Sequence, residues 1–223
     1  MSLLDVQLIA KKYTDHHMVL NNLSITVNPG EIHVIYGRSG SGKTTLLNCL
    51  AGVSAPDQGQ VTILGTSLSQ LNENQRADFR LKHIGILYQF FNLLPALTVK
   101  ENITLPAQLL KKDYSDYLLQ LATYFGIDHL LSKLPEQCSG GECQRVALCR
   151  ALICQPSLIL ADEPTGNLDT KNRDSALSYF RTLAQEKKIG MVIASHDDAL
   201  KKMADVVWNL DDGRLLKDND ITP

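Results

Sequence analysis

A glycine-rich turn between a short apolar run and a helical pattern constrains this chain more than any other feature. Glu31-Ile-His-Val-Ile-Tyr36 reads as a buried strand, and it runs into Gly37-Arg-Ser-Gly-Ser-Gly-Lys43-Thr44. Lys43 to Ala51 then follows helical spacing, with Gly52 as its stop. The spacing is that of a phosphate-binding loop, two glycines followed by Gly-Lys-Ser/Thr. Glycine lets the backbone turn tightly and aim successive N–H groups at one anion. The helix start adds unpaired N–H groups and the positive end of its dipole. On this reading Lys43 reaches the β- and γ-phosphates of a nucleotide and the Thr44 hydroxyl ligates Mg²⁺. Kinases, GTPases and ATPases all remain open at this point.

A second apolar run, Ser157-Leu-Ile-Leu-Ala161, delivers Asp162 and Glu163 at its C-terminal end. Open parallel α/β sheets bind ligands beyond the carboxyl ends of their strands. Asp162 is therefore expected to hold the metal and Glu163 to accept a proton from an attacking water. The bland alternative is an acidic turn before Pro164.

Ser139-Gly-Gly-Glu142 resembles the signature sequence of ABC ATPases, whose usual form is Leu-Ser-Gly-Gly-Gln/Glu. Other elements follow in that family's order. Gln89, after Ile84-Gly-Ile-Leu-Tyr88, matches the Q-loop glutamine, which the resemblance assigns to metal and water contact. Asp169, in Thr165-Gly-Asn-Leu-Asp169, matches the D-loop. His196, after Met191-Val-Ile-Ala-Ser195, matches the switch histidine that senses phosphate. Tyr13 stands where the family places an aromatic ring against adenine. The resemblance covers almost the whole chain. It implies a nucleotide site built from Tyr13, Gly37, Arg38, Ser39, Gly40, Ser41, Gly42, Lys43, Thr44 and Thr45. Ser139, Gly140, Gly141, Glu142 and Asp169 are its contribution to a neighbouring site.

The implied fold is α/β: a P-loop NTPase (RecA-like) core with an antiparallel β subdomain and an inserted α-helical subdomain. The whole of 1–223 is expected to form one ABC ATPase domain, with 1–90 and 156–223 as core and 91–155 as the helical insert ending in the signature helix. The resemblance further implies a head-to-tail homodimer around two Mg–ATP and a separate transmembrane permease at the cytoplasmic face of the cell membrane. Asp162-Glu-Pro-Thr-Gly-Asn-Leu-Asp169 and Phe91-Asn-Leu-Leu-Pro95 resemble the lipoprotein-releasing and macrolide-exporting subgroup. That subgroup also contains cell-division members, so a regulatory ATPase that transports nothing is the rival reading. No Asn-Lys-x-Asp guanine-reading motif is present, which argues against a GTPase.

Cys138 departs from the family pattern by replacing leucine. It is expected to pack less well without loss of function; the alternative is a redox-sensitive thiol activated by the helix start. Five cysteines with no C-x-x-C pair fit reduced thiols rather than a disulfide or zinc framework. A net charge of -2 advertises no nucleic-acid surface. Met1-Ser-Leu-Leu-Asp5 lacks the features of a secretory leader, and no run reaches the ~18 apolar residues of a membrane helix.

Leu3 to Lys12, Val19 to Val27 and Gln60 to Leu64 alternate as strands, the first two joined by the polar turn Thr14-Asp-His-His17. His16 and His17 read as solvated turn residues rather than metal ligands. Helices are expected near Val99–Leu105, Tyr114–Phe125, Gly141–Cys154 and Arg173–Lys187, with Pro106, Gly126 and Pro135 as punctuation. A further helix is expected around Asp198–Met203, and strands near Val206–Leu210 and Arg214–Lys217. Phe90-Phe-Asn-Leu-Leu94 is either internal packing or the floor of a groove for a helix of the membrane partner.

Overall fold

The computed structural model describes residues 2–14, 17–166 and 168–218. His16 and Asn167, each part of a motif above, lie outside them. Six strands form one sheet in the order β10-β9-β3-β8-β7-β6. These are β3 (Ile32–Tyr36), β6 (Ile84–Leu87), β7 (Leu158–Asp162), β8 (Gly190–Ala194), β9 (Val206–Asp211) and β10 (Arg214–Lys217). All neighbours are parallel except the hairpin β9–β10. The second sheet is antiparallel, ordered β2-β1-β4-β5, from β1 (Leu4–Thr14), β2 (His17–Val27), β4 (Gln58–Ile63) and β5 (Thr66–Ser67).

Two cores follow from the period of two along the central strands. Leu158 and Leu160 of β7 face the antiparallel sheet and α1 (Lys43–Leu50), whose Leu46, Leu47 and Leu50 fill the space between. Ile159 and Ala161 face the other way, into a core with α3 (Val99–Leu109), α4 (Ser115–Tyr124), α5 (Gly140–Leu152) and α6 (Thr170–Lys187). Both faces of β7 and β8 are thus covered, as a parallel sheet requires. The short helix α7 (Asp198–Met203) precedes β9.

The expected architecture is present: an α/β core, an antiparallel sheet beside it, and consecutive helices between β6 and β7. Three local outcomes differ. A helix, α2 (Glu73–His83), occupies a stretch with no expected element. It buries none of its residues, so it carries no apolar stripe to read. Its start is fixed instead by a capping box, in which Asn72 and Gln75 exchange side-chain-to-backbone bonds of 2.9 Å. Pro106 does not end α3, which continues to Leu109. The Thr98–Glu101 capping box and the buried face Val99, Ile103 and Ala107 hold that helix past the missing donor. Helix α6 begins at Thr170 rather than Arg173, because the Asp169 carboxylate caps it by accepting from Asn172 N at 2.9 Å.

His33 is buried in β3, between Glu31 and Trp208. The indole is a donor only, so Trp208 Nε1 donates to His33 Nδ1 at 3.1 Å and the ring proton sits on Nε2, donating to Glu31 Oε2 at 3.1 Å. Burial pushes the imidazole below its ordinary value, and Lys217 adds to this; Glu31 and Asp205 oppose it. Below about pH 6.5 the unfolded chain therefore binds a proton that the folded chain refuses, so stability falls as pH drops through that value. Urea midpoints, followed by the fluorescence of the single tryptophan, should decline between pH 7.5 and 5.5. His33→Gln should flatten that decline.

Candidate functional site

The loop after β3 is shaped by its closest neighbours. A Cβ at Gly37 would stand 2.6 Å from the Leu210 carbonyl and 2.7 Å from Ser41 Oγ, so β9 excludes any side chain there. Gly42 takes φ 101° as N-cap of α1, a conformation that L side chains disfavour. It contributes no side-chain cap, which leaves the N–H groups of the first turn available to an anion. Lys43 Nζ lies over the loop, donating to the carbonyls of Gly37 (2.7 Å) and Arg38 (3.0 Å). Ser41 Oγ is buried without a hydrogen-bond partner.

At the end of β7, Thr44 Oγ1 donates to Asp162 Oδ2 at 2.6 Å. Burial pushes the Asp162 carboxyl up and the neighbouring Glu163 adds to that, while the Thr44 bond and Lys43 pull it down. Two hard oxygens thus meet beside the loop, the donor set that Mg²⁺ takes. Together with the uncapped helix start, these residues fit a magnesium nucleotide.

Glu163 follows with φ 49°, its N–H donating to the Ala194 carbonyl of β8 at 2.9 Å. Its Oε2 accepts from Ser195 Oγ at 2.9 Å, and its Oε1 lies 2.8 Å from His196 Nδ1. Tyr13, 62% exposed, stands on the rim next to Val19. Gln89 is exposed beyond β6. A single cavity of about 560 Å³ is lined by Tyr13, Gln89, Asp162, Glu163 and His196 together with Gly37, Arg38, Ser39, Gly40, Gly42, Lys43, Thr44 and Thr45. Ser41 is the one loop residue of the expected set that does not line it.

The signature residues are elsewhere. Ser139 caps α5 in a capping box: its Oγ accepts from Glu142 N at 3.3 Å and its own N–H donates to Glu142 Oε2 at 2.7 Å. These bonds hold the Glu142 carboxyl below the usual range. Gly140 has open space where a side chain would be. Neither Ser139, Gly140, Gly141 and Glu142 nor Asp169 lines the cavity.

Three site-shaping residues were not foreseen. Ser195 is one. Gln144, buried on α5, donates through Nε2 to the Pro164 carbonyl and so ties the signature helix to the turn after Glu163. Arg150 donates to the carbonyls of Phe91 and Asn92, the latter at 2.6 Å, and holds the segment after Gln89. A polar residue interrupting the buried face of a helix was the available signal for Gln144.

Cys138 Sγ donates to the Leu134 carbonyl at 3.6 Å and packs, half-buried, against the larger core. Burial and then the Glu142 charge push its thiol up, the opposite of an activated cysteine. The packing reading of Cys138 is the one the geometry favours. Iodoacetamide at pH 8 should label Cys138 more slowly than free cysteine, with Cys49 and Cys149, both raised by burial, slower still. Peptide mass spectrometry over time reads all three.

A protein-family model described as ABC transporter matches residues 20–166. The lipoprotein-releasing system ATP-binding protein LolD of Francisella tularensis subsp. holarctica is 39% identical over 214 residues, covering 93% of both chains. The ABC transporter ATP-binding protein YtrE of Bacillus subtilis is 40% identical over 215 residues, covering 93% of this chain and 91% of its own. Among solved structures, a dimeric post-hydrolysis state of the ATP-binding cassette MJ0796 with ADP and phosphate superposes with a TM-score of 0.91 at 29% identity, over 99% of this chain and all of that one. The fold is thus that of the P-loop ABC cassettes, and the chain belongs to the ABC transporter family as an ATP-hydrolysing, ATP-binding subunit.

Proposed function

We propose that this ATPase works as a pair of identical subunits around two Mg–ATP and drives a separate membrane subunit in the export or extraction of a membrane-associated substrate. The observation that carries the reading is a division of labour. One chain gathers Lys43, Thr44, Asp162, Glu163 and His196 around a cavity, yet leaves Ser139 at an exposed helix start outside it. A second subunit facing the first head to tail supplies the missing Ser139 and Gly141.

Within one subunit, the N–H groups from Gly40 to Thr45 and the Lys43 ammonium bind the phosphate oxygens, and Tyr13 packs on the adenine. Thr44 and Asp162, with Gln89, hold Mg²⁺, which neutralises charge on the phosphate oxygens when bound. Glu163 takes the proton of the attacking water, and His196 contacts the γ-phosphate. Asp169 links the two sites across the interface. The second subunit's signature is reached only in the closed pair, so ATP favours that state by its extra contacts there. Replacing Glu163 by Gln keeps the shape and removes the base. Glu163→Gln with ATP should elute as a dimer in size-exclusion chromatography, with turnover down at least about a hundredfold; wild-type turnover would refute the assignment.

We place the membrane partner at the cytoplasmic face, on a groove between α2, β6, α3 and α5 lined by Arg80, Leu81, Ile86, Tyr88, Pro106 and Arg150. No helix among the described residues is long and apolar enough to cross a membrane. Of the stretch before α3, Asn92 lines this groove. Phe91 and Leu93 pack on the core, while Phe90, 78% exposed, and Leu94 stay outside. No carboxylate lines the groove, so a docking segment with an acidic residue suits it. Arg80→Glu should weaken co-purification with the membrane subunit at least about tenfold, while the purified chain keeps its basal ATPase rate.

A further inference from the structure

We infer that Ser195 is a positioning residue that selects the oxygen with which Glu163 acts, holding Oε2 in the protein interior and leaving Oε1 to receive the proton. The inference rests on the reading of Glu163 as the base and adds to it the means by which that base is aimed.

Ser195 has no solvent exposure and follows directly on β8. Its backbone is pinned across the sheet, since its N–H donates to the Ile35 carbonyl of β3 at 3.1 Å. Its hydroxyl has two partners. Oγ accepts from Asp197 N at 3.1 Å and stands 2.9 Å from Glu163 Oε2. An amide N–H can only donate, and an ionised carboxylate can only accept. The one hydroxyl proton is therefore committed to Glu163 Oε2. Asp197 is itself fixed, accepting from Ala199 N at 2.8 Å and from Thr165 Oγ1 at 3.3 Å. The donor that faces Glu163 thus has no freedom to turn away.

The other oxygen is held differently. Oε1 lies 2.8 Å from His196 Nδ1, and the His196 side chain is 74% exposed against 13% for Glu163. Oε1 therefore faces the exposed, solvent-side partner and Oε2 the fixed, buried one. When His196 turns to the γ-phosphate, Oε1 is the oxygen set free beside the cavity. Glu163 is further restrained by its left-handed backbone and its N–H bond to Ala194. A base must meet its proton within about 2.6–3.2 Å, and a carboxylate anchored through one oxygen keeps the other there without a rotational search.

The test uses the purified full chain with Ser195→Ala, Ser195→Thr and Ser195→Cys, alongside Glu163→Gln. Each is assayed for kcat and for binding of a fluorescent ATP analogue. Ser195→Ala should lower kcat by about tenfold to a hundredfold, the range for a hydrogen bond to a charged group. Its nucleotide affinity should stay within about twofold, because binding does not use this bond. Ser195→Thr keeps the hydroxyl and should recover most of the rate, and Ser195→Cys, near in size and a weaker donor, should fall between. The cysteine variant decides the matter if the alanine variant fails to fold.

Wild-type kcat in Ser195→Ala, with Glu163→Gln inactive, would overturn the inference and leave the base assignment standing. Equal loss of kcat and nucleotide affinity in all three Ser195 variants would overturn it in favour of a purely structural serine. Wild-type turnover in Glu163→Gln would instead remove the base itself, and the inference with it.

Discussion

Everything in the site depends on β3, β8 and β7 lying side by side and parallel. A parallel sheet brings all its carboxyl ends to one edge, so the phosphate loop, Ser195 with His196, and Asp162 with Glu163 emerge within reach of one another. The register makes this specific. Ile35 pairs with Ala194, and Asp162 pairs with that same Ala194. The Thr44–Asp162 bond then joins two segments 118 residues apart in sequence. A slip of one residue in β7 would send Asp162 to the opposite face and exchange the two cores. The apolar alternation that fills both cores is thus also what aims the carboxylates.

Much of this could be read from the sequence, because the central strands announce themselves. β3, β7 and β8 are five-residue runs of mostly buried apolar residues, with His33 and Asp162 as the polar exceptions, and the chemistry sits at or just beyond their carboxyl ends. Lys43, Thr44, Asp162 and Glu163 were legible for that reason, and His196 only through the resemblance to the family. Helix α2 was not, since it has no fully buried residue, packs on the core through Phe79, and is betrayed only by its capping residues. The extension of α3 through Pro106 was hidden because local propensity lost to packing of Ile103 and Ala107. Ser195 could not be assigned, as a serine after an apolar run has no distinctive pattern. Its role exists only because β7 and β8 are neighbours, which no spacing within either run records.

The starts of α1 and α5 illustrate how the same physics serves opposite ends. At α1 the N-cap is a glycine with no side-chain bond, so the first-turn donors are left for an outside anion. At α5 the Ser139–Glu142 capping box satisfies one of the first-turn donors within the chain. The first arrangement leaves donors free for a ligand in the cavity of the same chain. The second makes a surface that is stable alone and still able to exchange partners.

That exchange bears on how two subunits would close. Ser139 Oγ donates its proton to Glu142 Oε2 at 2.8 Å, so a phosphate oxygen presented by a partner competes with an acceptor already in place. The Glu142 carboxylate also carries a charge of the same sign as the phosphate it would face. Closure therefore trades one charge-assisted bond for another rather than gaining one outright, and the net gain stays modest. A modest gain is what a cycling machine needs. On the proposed pairing, two subunits would close when both sites hold ATP and open again once the bridging γ-phosphate had been cleaved.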